Sequence, residues 1–110
     1  MPGRKKDVVQ GTLDMLVLKA LSLAPMHGWG IAQRLQQIGG GTLKVNPGAL
    51  YPALERLQDR GWVATEWRIT ENGRRAKYYK LTARGRRQLG AQTESWRRLA
   101  AAIEAVLRTT

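Results

Sequence analysis

The sequence predicts a mainly α fold that carries one small β-hairpin and ends in a long helix. Three observations predict it. Apolar residues recur with helical spacing in three successive segments ahead of Gly61. A β-favouring stretch then alternates on either side of Glu71-Asn72-Gly73, where Asn-Gly is the favoured hairpin pair. Beyond it Leu89, Trp96 and Ile103 stand seven residues apart, as do Leu99 and Val106, the spacing of a helix seam.

The elements follow in order. Residues 1–7 are basic and polar and are expected as a loose arm. From Val8 to Ala24 a helix is expected, because Leu13, Leu16, Val17, Ala20, Leu21 and Ala24 follow the i, i+3, i+4, i+7 rule. Met15 and Leu18 make its other side apolar too, which suits burial between two layers. Pro25 stops it. A shorter helix spans His27 to Ile38, with Ile31, Leu35 and Ile38 inward, and Gly39-Gly40-Gly41 closes it. Thr42 to Val45 is expected as a short strand.

Asn46-Pro47 starts the third helix: Asn caps free backbone N–H groups, and Pro suits the first helical position. Leu50, Leu54 and Leu57 form its inward stripe, and Gly61 is its stop. Pro52 removes one backbone bond inside it, and the pattern alone supplies no reason for that. Trp62 to Ile69 and Ala76 to Leu81 are the hairpin strands. Tyr78 and Tyr79 point to opposite faces, with Tyr79 on the core side beside Leu81. Thr82 caps the last helix, Ala83 to Arg108.

The chain's 110 residues suit one domain, and 43% hydrophobic residues suffice for a core. Lys and Arg number 19 against 8 Asp and Glu, a net charge of +11. That excess implies a polyanionic partner. It is clustered: seven basic residues and no acidic one lie from Arg74 to Arg87, and Arg4, Lys5 and Lys6 form a second group. The bland alternative is a basic, merely soluble surface.

There is no cysteine, which removes disulfides, thiolate metal sites and thiol nucleophiles and fits a reducing cytoplasm. No apolar run approaches the ~18 residues of a membrane span, and the basic start lacks a signal-peptide pattern. A cytoplasmic protein without a membrane partner is expected. His27, beside Gly28 at a helix start, reads as structural. The acidic residues offer no convincing metal-ligand spacing. Gly39-Gly40-Gly41-Thr42 lacks the spaced glycines and the Gly-Lys-Ser/Thr of a phosphate loop. No enzyme, metal or cofactor is expected.

Helices and a turn followed by a basic hairpin make a unit that can read double-stranded DNA. A helix fits the major groove and brings its N-terminal half to base edges. On the helix begun by Asn46, Gly48, Tyr51, Glu55 and Arg56 lie off the leucine stripe. Tyr51 can donate to a phosphate, and Arg56 can pair with a phosphate or a guanine. The alternative is that Tyr51 packs on a neighbouring helix and Arg56 is a solvated charge. Arg74, Arg75 and Lys77 sit at the hairpin tip, a thin basic element suited to phosphates or a narrow minor groove; alternatively they only protect a strand edge. The terminal seam, broken at Gln92, either folds back on the domain or pairs with a second copy. Pairing suits a two-fold DNA site. The expected organisation is an arm (1–7), a winged helix-turn-helix (8–82) and a C-terminal dimerisation helix (83–110).

These residues resemble the PadR regulators. The resemblance is carried by Gly11-Thr12-Leu13-Asp14, Met26-His27-Gly28-Trp29-Gly30-Ile31-Ala32, Gly48-Ala49-Leu50-Tyr51-Pro52-Ala53-Leu54, Leu57, Gly61-Trp62-Val63 and the run from Gly73 to Thr82. It covers about residues 8–108. It implies a winged-helix repressor of the short subclass, dimeric through its first and last helices, which brings in Leu13 beside Leu89, Trp96, Leu99, Ile103 and Val106. It also implies DNA contact by Tyr51, Arg74, Arg75 and Lys77, and makes Pro52 part of the motif. Relatives beside permease or efflux genes suggest such an operon as target. Trp29 departs from the usual tyrosine, a change expected to affect packing rather than DNA contact. In some multidrug-sensing relatives a flat molecule sits between the subunits, which makes Trp96 the candidate wall of an effector pocket. A small-molecule effector is left open. The competing readings are a non-specific architectural nucleic-acid binder and a protein-interaction adaptor.

Overall fold

The computed structural model describes the backbone of residues 2–110 and the side chains of residues 11–110. The elements are α1 (Pro2–Leu23), β1 (Met26–His27), α2 (Gly28–Ile38), α3 (Pro47–Asp59), β2 (Val63–Ile69), β3 (Arg75–Leu81) and α4 (Ala83–Arg108). Three strands form one antiparallel sheet in the order β1-β3-β2. A mainly α chain with a small hairpin and a long last helix is what the patterning required.

α1 is the centre of the packing and touches α2, α3, α4 and β3. Val17, Leu18, Ala20 and Leu21 are buried, so Leu18, assigned to the other side of the helix, is as much core as the stripe. Burial on both sides follows from layers on both sides. Ile31 and Leu35 of α2, Leu50, Ala53, Leu54 and Leu57 of α3, and Val63 and Tyr79 of the sheet complete the core. Ile38, expected inward, is 60% exposed: it is the last residue of α2, and only Ile31 and Leu35 reach the core.

Two expectations about local structure are corrected. The segment 2–7, read as an arm, is helical backbone at the start of α1, with Pro2 first, where its missing N–H has no helical partner to lose. The side chains of Arg4, Lys5 and Lys6 lie outside the described residues. Thr42 to Val45 forms no strand. The third strand is Met26–His27, paired in register with Tyr79 and Tyr78. A strand needs a neighbour with free backbone groups, and the open edge of β3 lies beside residues 26–27. Val45 instead enters the core as a single anchor.

Helix ends follow their caps. His27 Nδ1 accepts from the Gly30 N–H at 3.0 Å and starts α2. Asn46 Oδ1 accepts from the Gly48 N–H at 2.8 Å and starts α3, which runs through Pro52. At the end of α3 the Gly61 N–H donates to Gln58 O and the Trp62 N–H to Leu57 O, both at 3.0 Å, with Gly61 at φ +77°. This pair of bonds needs a left-handed residue, which glycine adopts freely. Thr82 Oγ1 accepts from the Gly85 N–H at 3.0 Å and donates to Gly61 O at 2.8 Å, which ties the start of α4 to that turn. A Cβ at Gly85 would collide with the Trp62 carbonyl oxygen, so only glycine lets α4 lie on the turn. At about 1.5 Å per residue, the 26 residues of α4 are longer than either short dimension of the molecule, 29 and 28 Å.

Candidate nucleic-acid interface

The hairpin and α3 face each other across a cleft of about 510 Å³. Tyr51, 50% exposed, stands on the helical wall. Arg74, Arg75 and Lys77 stand on the other, with Thr70 and Asn72 of the turn. His27, Gly28 and Tyr79 also line it. The sequence-predicted residues Tyr51, Arg74, Arg75 and Lys77 are therefore brought together from two distant segments.

Local chemistry sets each one. The Tyr51 ring closes over buried Gly28: a Cβ there would lie 2.7 Å from both Cε1 and the hydroxyl oxygen. Tyr51 thus packs on the neighbouring helix and still presents its outer half to solvent. The packing alternative therefore holds without removing the ring from the surface. Burial raises the Tyr79 hydroxyl above its ordinary value of 10.0, and nearby Tyr51 pushes it the same way. The hairpin tip is held by Thr70 N–H donating to Arg74 O at 2.7 Å and Gly73 N–H to Thr70 O at 2.9 Å. Gly73 has φ +76°, and no residue other than glycine has a positive φ among the described residues. Asn72 is therefore not left-handed. The connection has the pattern of a three-residue loop closed by a left-handed glycine, not a two-residue Asn-Gly turn.

Three candidates are placed elsewhere. Arg56 does not face the cleft: its Nη2 donates to Asp14 Oδ1 at 2.8 Å, and Asp14 is buried on α1. A carboxylate in a core needs a cation, and Arg56 is the group that meets it. Asn46 spends its side-chain oxygen on the α3 cap. With Leu13, Leu16, Leu43, Val45 and Ala49 it borders a separate groove of about 390 Å³ between α1 and the start of α3. Gly48, exposed, follows on the same first turn.

Sequence reasoning missed part of the surface. Trp29, expected to pack, is 63% exposed and lines the cleft, its ring stacked beside His27 with centroids 6.2 Å apart. Trp67 and Ile69 on β2 are 60% and 67% exposed. Their signal was the alternation itself, which puts them on the face of Val63; where the core ends along that face could not be read.

On α4, Leu89 is half-buried against its own core. Trp96, Leu99, Ile103 and Val106 are 49%, 56%, 50% and 72% exposed, with Leu107 at 73%. Leu13 is half-buried on α1. No helix among the described residues is long and apolar enough to cross a membrane. Among them, no three His, Cys, Asp or Glu residues could hold a metal together.

Comparison with known proteins bears on this arrangement. The family described as transcriptional regulator PadR-like matches residues 17–91. Over 64 residues the chain is 38% identical to "Transcriptional regulator Rv3488" of Mycobacterium tuberculosis, covering 58% of this chain and 56% of that one. Over 90 residues it is 37% identical to an uncharacterised 37.1 kDa protein in transposon TN4556 of Streptomyces fradiae, covering 82% of this chain and 24% of that one. The chain thus spans about half of the first of these relatives and about a quarter of the second. The crystal structure of a PadR family transcriptional regulator from Eggerthella lenta superposes with a TM-score of 0.79 at 29% identity, covering 99% of this chain and 93% of that one.

Proposed function

We propose, from the premise that the chain belongs to the PadR-like family of transcriptional regulators, that it is a homodimeric, sequence-specific repressor. The observation that carries the reading is the cleft that places Tyr51 of α3 opposite Arg74, Arg75 and Lys77 of the hairpin. Its dimensions and charge suit one sugar-phosphate strand, gripped on one side by cations and on the other by a hydroxyl. The first turns of α3 then lie toward the major groove, where Gly48 leaves room for close approach and the Asn46 amide N–H groups remain free to donate.

The dimer reading rests on two complementary surfaces. The α4 seam from Trp96 to Val106 leaves large apolar side chains half exposed or more. The groove beside Leu13 is apolar and of a size to receive such side chains. A single soluble chain rarely leaves so much contiguous apolar surface in water. Two recognition helices in such a dimer would read half-sites about one helical turn, ~34 Å, apart or a multiple of that. By family resemblance the regulated genes encode a permease or efflux system. Trp96 would lie near the two-fold axis, where two indoles either fill the interface or flank a slot for a flat apolar effector. An effector acts only by binding the DNA-competent and incompetent arrangements unequally.

The test is a gel shift on the chain's own upstream DNA with random competitor, run beside light scattering at micromolar concentration. Retarded, competitor-resistant complexes from a dimer support the reading. Binding that random DNA abolishes favours the architectural alternative, which the clustered basic charge would also serve. A persistent monomer overturns the dimer.

A further inference from the structure

Register and exposure on the hairpin disagree in an informative way. Val63, Thr65, Trp67 and Ile69 share one face of β2, and they pair with Leu81, Tyr79, Lys77 and Arg75 of β3. At the base this face is core: Val63 and Tyr79 are buried. At the tip the same face carries Trp67 and Ile69, 60% and 67% exposed. The hairpin outruns the core by two residue pairs, yet those pairs place an indole and a branched alkyl group beside an arginine and a lysine. Folding the domain does not require that apolar surface in water, and solvent exposure of it carries a cost.

The Arg75 guanidinium lies over the Trp67 ring, 4.7 Å from its centroid. A guanidinium stacked in this way keeps its edge N–H groups free to donate, while its side chain is held in one direction. The nearby carboxylate of Glu66 is on the opposite face and is engaged by Arg68, so it does not neutralise Arg75. Glu71, at the turn, is the one acidic residue between Ile69 and Arg75. The tip is thus a thin element with an apolar wall and directed cations, continuous with the cleft that Arg75 and Lys77 line.

We propose that Trp67 is a further DNA-contacting residue: it lies, with Ile69, against the deoxyribose wall of the minor groove and holds Arg75 directed into that groove. The chemistry is complementary. The groove wall presents sugar C–H surface, its floor presents acceptors, and a narrow A·T-rich groove concentrates negative potential. Apolar side chains beside basic ones are a recurring means of gripping this groove. The hairpin then contributes preference for A·T pairs flanking the bases that α3 reads. This inference rests on the DNA-binding reading above.

Its signature is salt. An apolar contact releases no counterions, so Trp67→Ala should weaken operator binding about tenfold at every salt concentration, with little change in slope. Arg75→Ala should instead lower the slope by about one. Trp67→Phe, which keeps an apolar ring, should retain most of the affinity. Replacing flanking A·T pairs by G·C should weaken the wild type, and I·C pairs, which lack the guanine 2-amino group, should restore it; Trp67→Ala should be less sensitive to both. Fluorescence anisotropy of labelled duplexes reads all of these, beside thermal melts of each variant. Should Trp67→Ala fold poorly, Ile69→Ala probes the same wall. Wild-type affinity in the folded alanine variants overturns this inference while leaving DNA binding intact. A wild type that binds no duplex overturns both.

Discussion

Arg56 Nη2 sits 2.8 Å from Asp14 Oδ1, a link across 42 residues of sequence that joins α3 to α1. The Arg56 side chain is 28% exposed and that of Asp14 only 6%, so the carboxylate depends on this cation. The pair fixes how α3 sits on the central helix, and through it where Tyr51 stands.

Arg56→Ala should therefore destabilise the protein by about 3 kcal/mol, because it leaves a buried carboxylate without its partner. Chemical denaturation checks the loss. DNA binding by the folded fraction should keep its salt slope, since the Arg56 guanidinium is engaged by Asp14. A slope lowered by one with stability unchanged would restore Arg56 to the interface.

Gly28→Ala should act through Tyr51. The added Cβ overlaps the ring at 2.7 Å, and the half-exposed ring is what can move. DNA affinity should fall to about the level of Tyr51→Ala. In a Tyr51→Ala background the same change should be neutral or slightly stabilising, as alanine suits the first turn of α2. A double-mutant cycle that shows simple additivity would refute the coupling. Tyr51→Phe, which removes only the hydroxyl, should cost roughly 0.5–1.5 kcal/mol of binding.

Arg75→Ala should weaken DNA binding and lower the salt slope by about one, through the loss of a cation directed at the duplex. Titration against monovalent salt is the measurement. Unchanged affinity and slope would show that the wing does not touch phosphate through Arg75.

Trp96→Ala should weaken the dimer by about 3–5 kcal/mol if the two indoles simply fill the interface. Sedimentation across a concentration series reads the shift. If Trp96 instead walls an effector slot, dimerisation and DNA binding should largely survive while the response to planar dyes disappears. Dye titration of the wild type separates the two. The alanine variant serves as control because Trp29, Trp62 and Trp67 also emit. No response at the dye's solubility limit would leave Trp96 as interface core.

Local rules carried much of this protein. The caps by Asn46 and Thr82, the stop at Gly61 and the span of α4 were legible because each depends on a few neighbouring residues and their backbone groups. The hairpin was legible because alternation and a glycine turn are local as well. The basic character of the tip follows from composition alone.

What tertiary structure decided was which exposed or buried fate each side chain met. Periodicity places Arg56 off the leucine stripe, but only the position of Asp14 on α1 turns it inward. Pattern offers Thr42–Val45 as a strand and Met26–His27 not at all, yet the free edge of β3 selects the second. Alternation puts Trp67 on the core face, yet the core ends before reaching it. Period and propensity specify directions about an element's own axis. Burial, pairing and charge neutralisation depend on what another segment brings to that side, and distant parts of the chain supply it only once folded.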